Sequence, residues 1–302
     1  MNKEQERAWK KAEKAASAER KQLLEKTRDE VVALLTLAKN NMVLVLASAP
    51  TDYQQWQMTA LQREIDRVLA ELTQSSTRKI SDAVMKAWEG GISAIDKPLA
   101  AAGFRVIMPH LDTGQLMAMR AFTVDRISDI SVVAGSKIKQ QIGLAMIGSQ
   151  SIHDTITNVA THLDDTSRSR ATTIVRDSLS AAWSTASDDR AQQSEEAGVA
   201  MDKIWRRSGK IHSRLAHDLA DGRRVAADQP FIINGHKIRY PHDPKAPISE
   251  IINCGCIALY RPRETPGTLP DKRPFTADEL ALNPNKQQLQ SGKSVAELLK
   301  GK

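Results

Sequence analysis

The two cysteines of the chain, Cys254 and Cys256, flank Gly255, and His217 stands upstream in a polar run that ends in Asp221 and Gly222. Two thiols and an imidazole are ligand types that zinc prefers, and His212 or Asp221 could supply a fourth group. A disulfide across a single residue closes a strained ring and staples little, so the pair reads as free thiols or as ligands. Two further readings stand beside zinc: thiols packed as small hydrophobes, and a thiolate activated by Arg214 or by a helix terminus. His217 beside Asp221 is also a workable general base and metal-binding carboxylate, the pairing a metal-assisted hydrolase would use. No second acidic cluster completes a phosphodiester-cleaving site, and the sequence holds no P-loop, Gly-x-Ser-x-Gly elbow or His-Glu-x2-His helix.

Several local signals bear on how these groups are positioned. A helical region over 165–207 leads into the segment, and His217 lies near a helix end with Asp221 one turn later, so the two side chains share a face before Gly222 lets the chain turn. Phe231 to Tyr240 places Asn234 and Gly235 between two β-prone runs, which predicts a hairpin with a type I′ turn. Pro241, Pro244 and Pro247 then stiffen an extended path, and Asn253 can tie its side chain to nearby backbone just before the thiols. A third strand is expected over 256–260, and on a strand the two cysteines would face the same side.

Taken in order, Trp205, Arg214, His217, Asp221, Gly222, Phe231, Pro241, Asp243, Pro244, Pro247, Glu250, Asn253, Cys254 and Cys256 form a spaced constellation. Over roughly residues 170 to 262 it resembles the C-terminal domain of the phage Mu F-like minor head proteins, the head-morphogenesis family of tailed bacteriophages. The chain departs from the family pattern at three places: Lys210 and His212 stand where an acid and an arginine are usual, and Gly255 replaces an arginine between the cysteines. The resemblance implies a structural, non-enzymatic minor head protein that enters the procapsid, associates with the portal vertex and influences DNA packaging or ejection. Portal and capsid proteins are the implied partners, with packaged DNA as a further candidate contact. The implied location is the virion, in the capsid interior or at the portal vertex, after assembly in the host cytoplasm. Arg176 stands where the family carries an arginine on its connecting helix, and is expected to form an ion pair at the junction of two regions.

The rest of the chain reads as helix. Only three of its twelve prolines precede residue 220, and aromatics make up 4% of a 41% hydrophobic composition, so packing should run through Leu, Ile, Val, Met and Ala. The expected fold is a mainly α N-terminal region followed by a small α+β domain with an antiparallel hairpin. Its expected divisions are a helical portal-docking region over 1–170, the α+β domain over 171–262 and an extended arm over 263–302.

Helices are expected over 4–47, 52–74 (capped by Asp52), 77–94 and 127–150, with Gly90 and Gly91 interrupting the third and a loop over 99–111. A short helix is expected over 294–300. The longest uninterrupted apolar run, Met42 to Ala47, is too short to cross a bilayer, and the opening residues lack a secretory pattern, so no membrane span is expected. The net charge of +7 comes from 43 basic residues interleaved with 36 acidic ones, which suits a solvated surface better than a nucleic-acid footprint.

Overall fold

The computed structural model describes residues 1–48, 55–147, 149–263 and 272–291. The fold is 69% helical, with a long N-terminal helical region followed by a small region holding two antiparallel sheets. The expected helix over 294–300 and the Asp52 cap lie outside the described residues.

The first helix matches its expected span, the next two run longer than expected, and the one expected over 165–207 is shorter. α1 spans Lys3–Ala47, α2 spans Gln55–Ala101, α3 spans Gly114–Met146, and α4 (Ile152–Thr161) passes through a π-helical turn (His162–Ser167) into α5 (Arg168–Glu196). Two expected helices are thus the single α2, which runs through Gly90, Gly91 and Pro98. The glycines do not break it; they permit close approach to α5. A Cβ on Gly91 would lie 2.4 Å from the Trp183 carbonyl oxygen, and one on Gly90 would lie 2.2 Å from the Trp183 ring. Ser187 Oγ then donates to the Gly91 carbonyl at 3.0 Å, so the helix cost of glycine is offset by contact that a larger residue would forbid.

α5 ends at Glu196, and Gly198 takes a φ of 92°. The continuation is β1 (Met201–Arg206), where a helix had been expected to reach residue 207. Trp205 therefore stands on a strand. β1 is the middle of a three-stranded sheet, paired antiparallel to β2 (Arg224–Ala226) on one side and β5 (Ile257–Pro262) on the other. The predicted hairpin forms as β3 (Phe231–Ile233) and β4 (His236–Ile238), with Asn234 and Gly235 at φ 50° and 77° as a type I′ turn requires. Of two short helices, α6 (Leu215–Leu219) carries the histidine of the thiol and histidine cluster and α7 (Ile248–Ile251) precedes its thiols.

The chain forms two compact units, and their boundaries do not follow the expected division at residue 170. One unit gathers Met1–Arg20, Ala87–Asp112 and the described residues from Ser180 onward; the other holds the described residues of Lys21–Lys86 and Thr113–Leu179. The first 20 residues and a stretch of α2 thus belong with the β-containing part, because Trp9, Ile95, Leu99 and Ala102 share a buried cluster with Ala191, Met201, Ala227 and Tyr260. A buried charge pair links α5 to this sheet: Lys203 Nζ lies 3.0 Å from Asp188 and donates to the Ala227 carbonyl at 2.7 Å, while Tyr260 donates to Asp188 at 3.0 Å.

The second unit is all helix, with Leu61, Ile65, Val68 and Leu72 of α2 and Ile127, Ile130, Ala134 and Ile138 of α3 in its core. α1 contains a window of mean hydropathy 1.6, so by length and composition it is long and apolar enough to cross a membrane. The sequence reading missed this because Lys39, Asn40 and Asn41 divide the apolar run without outweighing the valines and leucines around them. Within its unit the same stretch buries Val31, Leu35, Ala38, Met42 and Leu46 on one stripe, and Lys39 pairs with Asp164 at 2.8 Å. Only 28% of the window is buried, and Leu37 and Leu44 on the other side of the helix are exposed. Arg176 is half-buried and, contrary to expectation, forms no ion pair among the described residues.

The segment expected to be an extended arm is partly folded. α8 (Ala277–Leu282) opens with a capping box between Thr276 and Glu279, and α9 (Pro284–Gln290) carries Lys286. Glu279 and Lys286 are 1% and 0% exposed. The Arg207 guanidinium meets both Glu279 oxygens, at 2.5 and 3.2 Å, Lys286 donates to Glu279 at 2.6 Å, and Arg207 sits 4.3 Å above the Phe275 ring. Burial opposes ionisation of Glu279, but the hydrogen bonds from Arg207, Lys286 and the Thr276 amide outweigh it and bring its pKa from 4.5 down to about 2. A depressed carboxyl pKa stabilises the fold above pH 4.5 and ceases to do so as pH falls toward 2. Removing the carboxylate leaves the two buried cations only the longer contacts to Asp218, at 3.8 and 3.7 Å, so Glu279→Ala is expected to lose about 3 kcal/mol in urea unfolding at pH 7. The wild type should lose part of that difference on acidification through the same window.

Candidate metal centre

Three donor atoms from two distant stretches converge. His217 Nδ1 lies 3.5 Å from Cys254 Sγ and 3.7 Å from Cys256 Sγ, and the three donors all fall within 4.8 Å of one another. Every member is buried: His217 and Cys256 are 2% exposed and Cys254 is 4% exposed. Bonds of ~2.3 Å to sulfur and ~2.05 Å to nitrogen, meeting at a tetrahedral angle, would separate the two ligand atoms by about 3.6 Å. The observed distances match that edge.

α6 holds His217 near its end, and the ring is fixed from three sides. Glu250 Oε2 lies 2.8 Å from Nε2, and Asn234 of the hairpin turn donates to the other Glu250 oxygen at 3.0 Å. Trp205 packs edge-on against the imidazole at 5.2 Å and against Phe231 at 5.3 Å. Burial works against ionisation of Glu250, yet the hydrogen bonds from Asn234 and His217 keep its pKa below the usual value. An ionised Glu250 accepts a proton-bearing Nε2, which turns Nδ1 toward the sulfurs, the second-shell arrangement that prepares a histidine for a metal.

The thiols reach this place by a loop. β5 begins at Ile257, one residue after Cys256, so the pleat of a strand does not align the pair. α7 is followed instead by Asn253 at φ 53°, and the Cys256 amide points back at Cys254 Sγ at 3.4 Å. Lys210 donates to the Asn253 carbonyl and Arg214 donates to that of Ile252 at 2.9 Å, tying the histidine segment to the thiol segment. Gly255 is required by this packing, since a Cβ there would lie 2.9 Å from Ser208 Cβ and 3.1 Å from Lys210 Cε.

Electrostatically the cluster shares its protons unequally. The Cys256 thiol donates to Cys254, which together with His217 holds Cys254 well below the usual thiol range in spite of burial, and the proton stays on Cys256, whose pKa rises. For His217, burial works to lower the pKa, but hydrogen bonding to Cys254 and Glu250 outweighs it and the value rises.

Other expected members stand elsewhere. Asp221 is buried, but its oxygens receive the Arg207 amide at 2.9 Å, the Arg206 guanidinium at 3.2 Å and the Arg273 amide, so it braces the loop after β1 and does not pair with His217. The chain's helical turn is too short to put both on one face: α6 ends at Leu219. His212 is exposed and outside the cluster, so neither candidate fourth ligand is in place. Gly222 adopts φ 79° and returns its amide to the Trp205 carbonyl at 2.8 Å.

Asp243 anchors the proline segment. It accepts from the Arg239 amide at 3.1 Å, the Lys245 amide at 3.0 Å and the Arg239 guanidinium at 2.6 Å, while Pro241 is buried and Pro244 is exposed. Sequence reasoning gave His242 and Arg20 no role. Arg20, on α1, has its Nε shielded from solvent; burial lowers its pKa to about 10 while Cys254 and Cys256 pull it upward. No spacing signal could have tied so distant a residue to the thiols.

Closed packing has a chemical consequence. In the native, reduced protein both thiols should resist a bulky alkylating reagent over times in which the denatured chain reacts fully, with mass spectrometry counting the adducts. Rapid single labelling at Cys254 would instead mark an accessible nucleophile. No family model, curated protein or solved structure matches the chain.

Proposed function

We propose that this chain is a structural minor head protein of a tailed bacteriophage, acting in head morphogenesis at or near the portal vertex, and that it is not an enzyme. The reading rests on the ordered constellation from Trp205 to Cys256. The observation that carries it is convergence: the two halves of that constellation meet in one buried cluster in which His217, Cys254, Cys256 and Glu250 turn their polar atoms on each other. A group enclosed in this way supports a module's shape more readily than it meets a substrate. The long helices of the N-terminal part supply surfaces suited to docking on other helices of an assembly, with portal and capsid proteins as partners.

A second reading is favoured by one feature of the same cluster. Cys254, His217 and Glu250 stand in the order of a thiol nucleophile, its base and an orienting carboxylate. This would serve a hydrolase or toxin-like effector, although Asp221, once part of that alternative, is committed to Arg206, Arg207 and Arg273.

Co-expression with portal and capsid proteins, followed by isolation of heads and reconstruction of the vertex, tests the first reading. The chain is expected in the particle with density at or near the portal, and His217→Ala is expected to lower its incorporation through loss of folding. Its exclusion from heads, or a turnover abolished by His217→Ala in a variant that remains folded, would favour the second reading.

A further inference from the structure

We propose that His217, Cys254 and Cys256 bind one zinc ion, His217 through Nδ1 and each cysteine through its sulfur, with a solvent oxygen completing the tetrahedron. This metal chemistry is independent of the head-assembly reading.

The deciding feature is how the sulfurs stand about the imidazole. Both lie close to one nitrogen, Cys254 Sγ at 3.5 Å and Cys256 Sγ at 3.7 Å from His217 Nδ1. A ring nitrogen has one proton or one lone pair in its plane, so it makes one well-aligned hydrogen bond, and a second sulfur at nearly the same distance is left over. Three donor atoms within 4.8 Å of one another are instead the corners of a triangle about a common centre, as the ligands of one ion are.

Hydrophobic packing of the thiols would account for their burial and for nothing else around them. Glu250 Oε2 lies 2.8 Å from the far ring nitrogen, and Asn234 donates to the other carboxylate oxygen at 3.0 Å. A carboxylate buried behind a histidine, and itself held by an amide, fixes the ring with Nδ1 toward the sulfurs. On the sulfur side, the Cys256 amide donates to Cys254 Sγ at 3.4 Å, which favours an anionic sulfur over a thiol. Neither cysteine is in a disulfide, so both sulfurs can ligate.

The donor set selects the metal. Thiolate and imidazole suit zinc, whereas magnesium and calcium take oxygen ligands. Two thiolates neutralise the divalent ion, so the buried site takes it in without a net charge. Among the described residues no further histidine, cysteine or carboxylate joins the three, and the fourth position therefore falls to solvent. Binding releases to solvent whatever protons the two sulfurs and Nδ1 carry, while the Nε2 proton stays between His217 and Glu250. The ion would fasten α6 to the loop after α7, across 37 and 39 positions of the chain.

The test uses the full chain, stripped of metal with a chelator under reducing conditions and refilled with zinc or cobalt alone. The wild type is expected to take up one ion per chain, and X-ray absorption at the zinc edge is expected to show two sulfurs and two lighter donors. Cobalt should give thiolate charge-transfer bands and the intense visible spectrum of a tetrahedral site. Cys256→Ser, which nearly keeps the side chain's size, should lose one sulfur from the zinc-edge spectrum and part of the charge-transfer absorption. Glu250→Gln reads the positioning of the ring: zinc affinity should fall by roughly 10–100-fold while the thiolate bands persist. Far-UV circular dichroism checks that each variant is folded, and where one is not, the zinc-edge spectrum of the wild type gives the answer. A reduced wild type that takes up no zinc would overturn the proposal, as would bound zinc without sulfur ligands, or Cys256→Ser with an unchanged metal spectrum.

Discussion

Everything near the cysteines depends on a buried histidine having both of its nitrogens engaged. His217 is out of contact with water, so each ring nitrogen must find its partner inside the protein. Glu250 engages one and the thiols the other. Because Glu250 and the thiols all come from one stretch and His217 from another, the constraint brings together segments more than thirty residues apart. It also explains why Trp205 and Phe231 surround the ring: their bulk excludes water and makes the polar contacts obligatory.

A second layer of contacts holds that first one in place. The loop after β1 is braced from below by Asp221, which receives backbone amides from both Arg207 and Arg273. Arg207 carries the brace onward into the Glu279 and Lys286 pair of the C-terminal helices. From the same loop, Lys210 reaches the carbonyl just before Cys254. Residues 272–291 are therefore part of the module that holds the cluster, and α5 joins it through the Asp188 and Lys203 pair.

Much of this was legible in the sequence where local chemistry decides the outcome. The Asn234-Gly235 turn requires positive φ, and few other sequences provide it so readily, so the hairpin could be read directly. Convergence of His217 with the cysteines was likewise legible from the ordered motif, and the helical character of the first part from its composition. What escaped was set by tertiary contact.

Gly90 and Gly91 look like breakers until Trp183 is seen against them, and β1 looks helical because Lys203 hides its charge on Asp188. Lys286 and Glu279 are surface residues by type, and their pairing with each other, with Arg207 and with Asp218 makes their burial tolerable. His242 sits between two landmarks of the motif, Pro241 and Asp243, and its unpartnered ring, like the Trp205 indole nitrogen, becomes visible only in the fold.

The central claim is that the His217 segment and the cysteine segment form one energetic element. A double-mutant cycle reads this directly, by unfolding in urea the wild type, His217→Ala, Cys256→Ala and the double variant. Strong coupling is expected: the double variant should be less destabilised than the sum of the singles by more than about 1 kcal/mol, since each single change already disables the cluster. Additivity within roughly 0.5 kcal/mol would mean that the two segments lie close together without depending on each other, and would contradict the account.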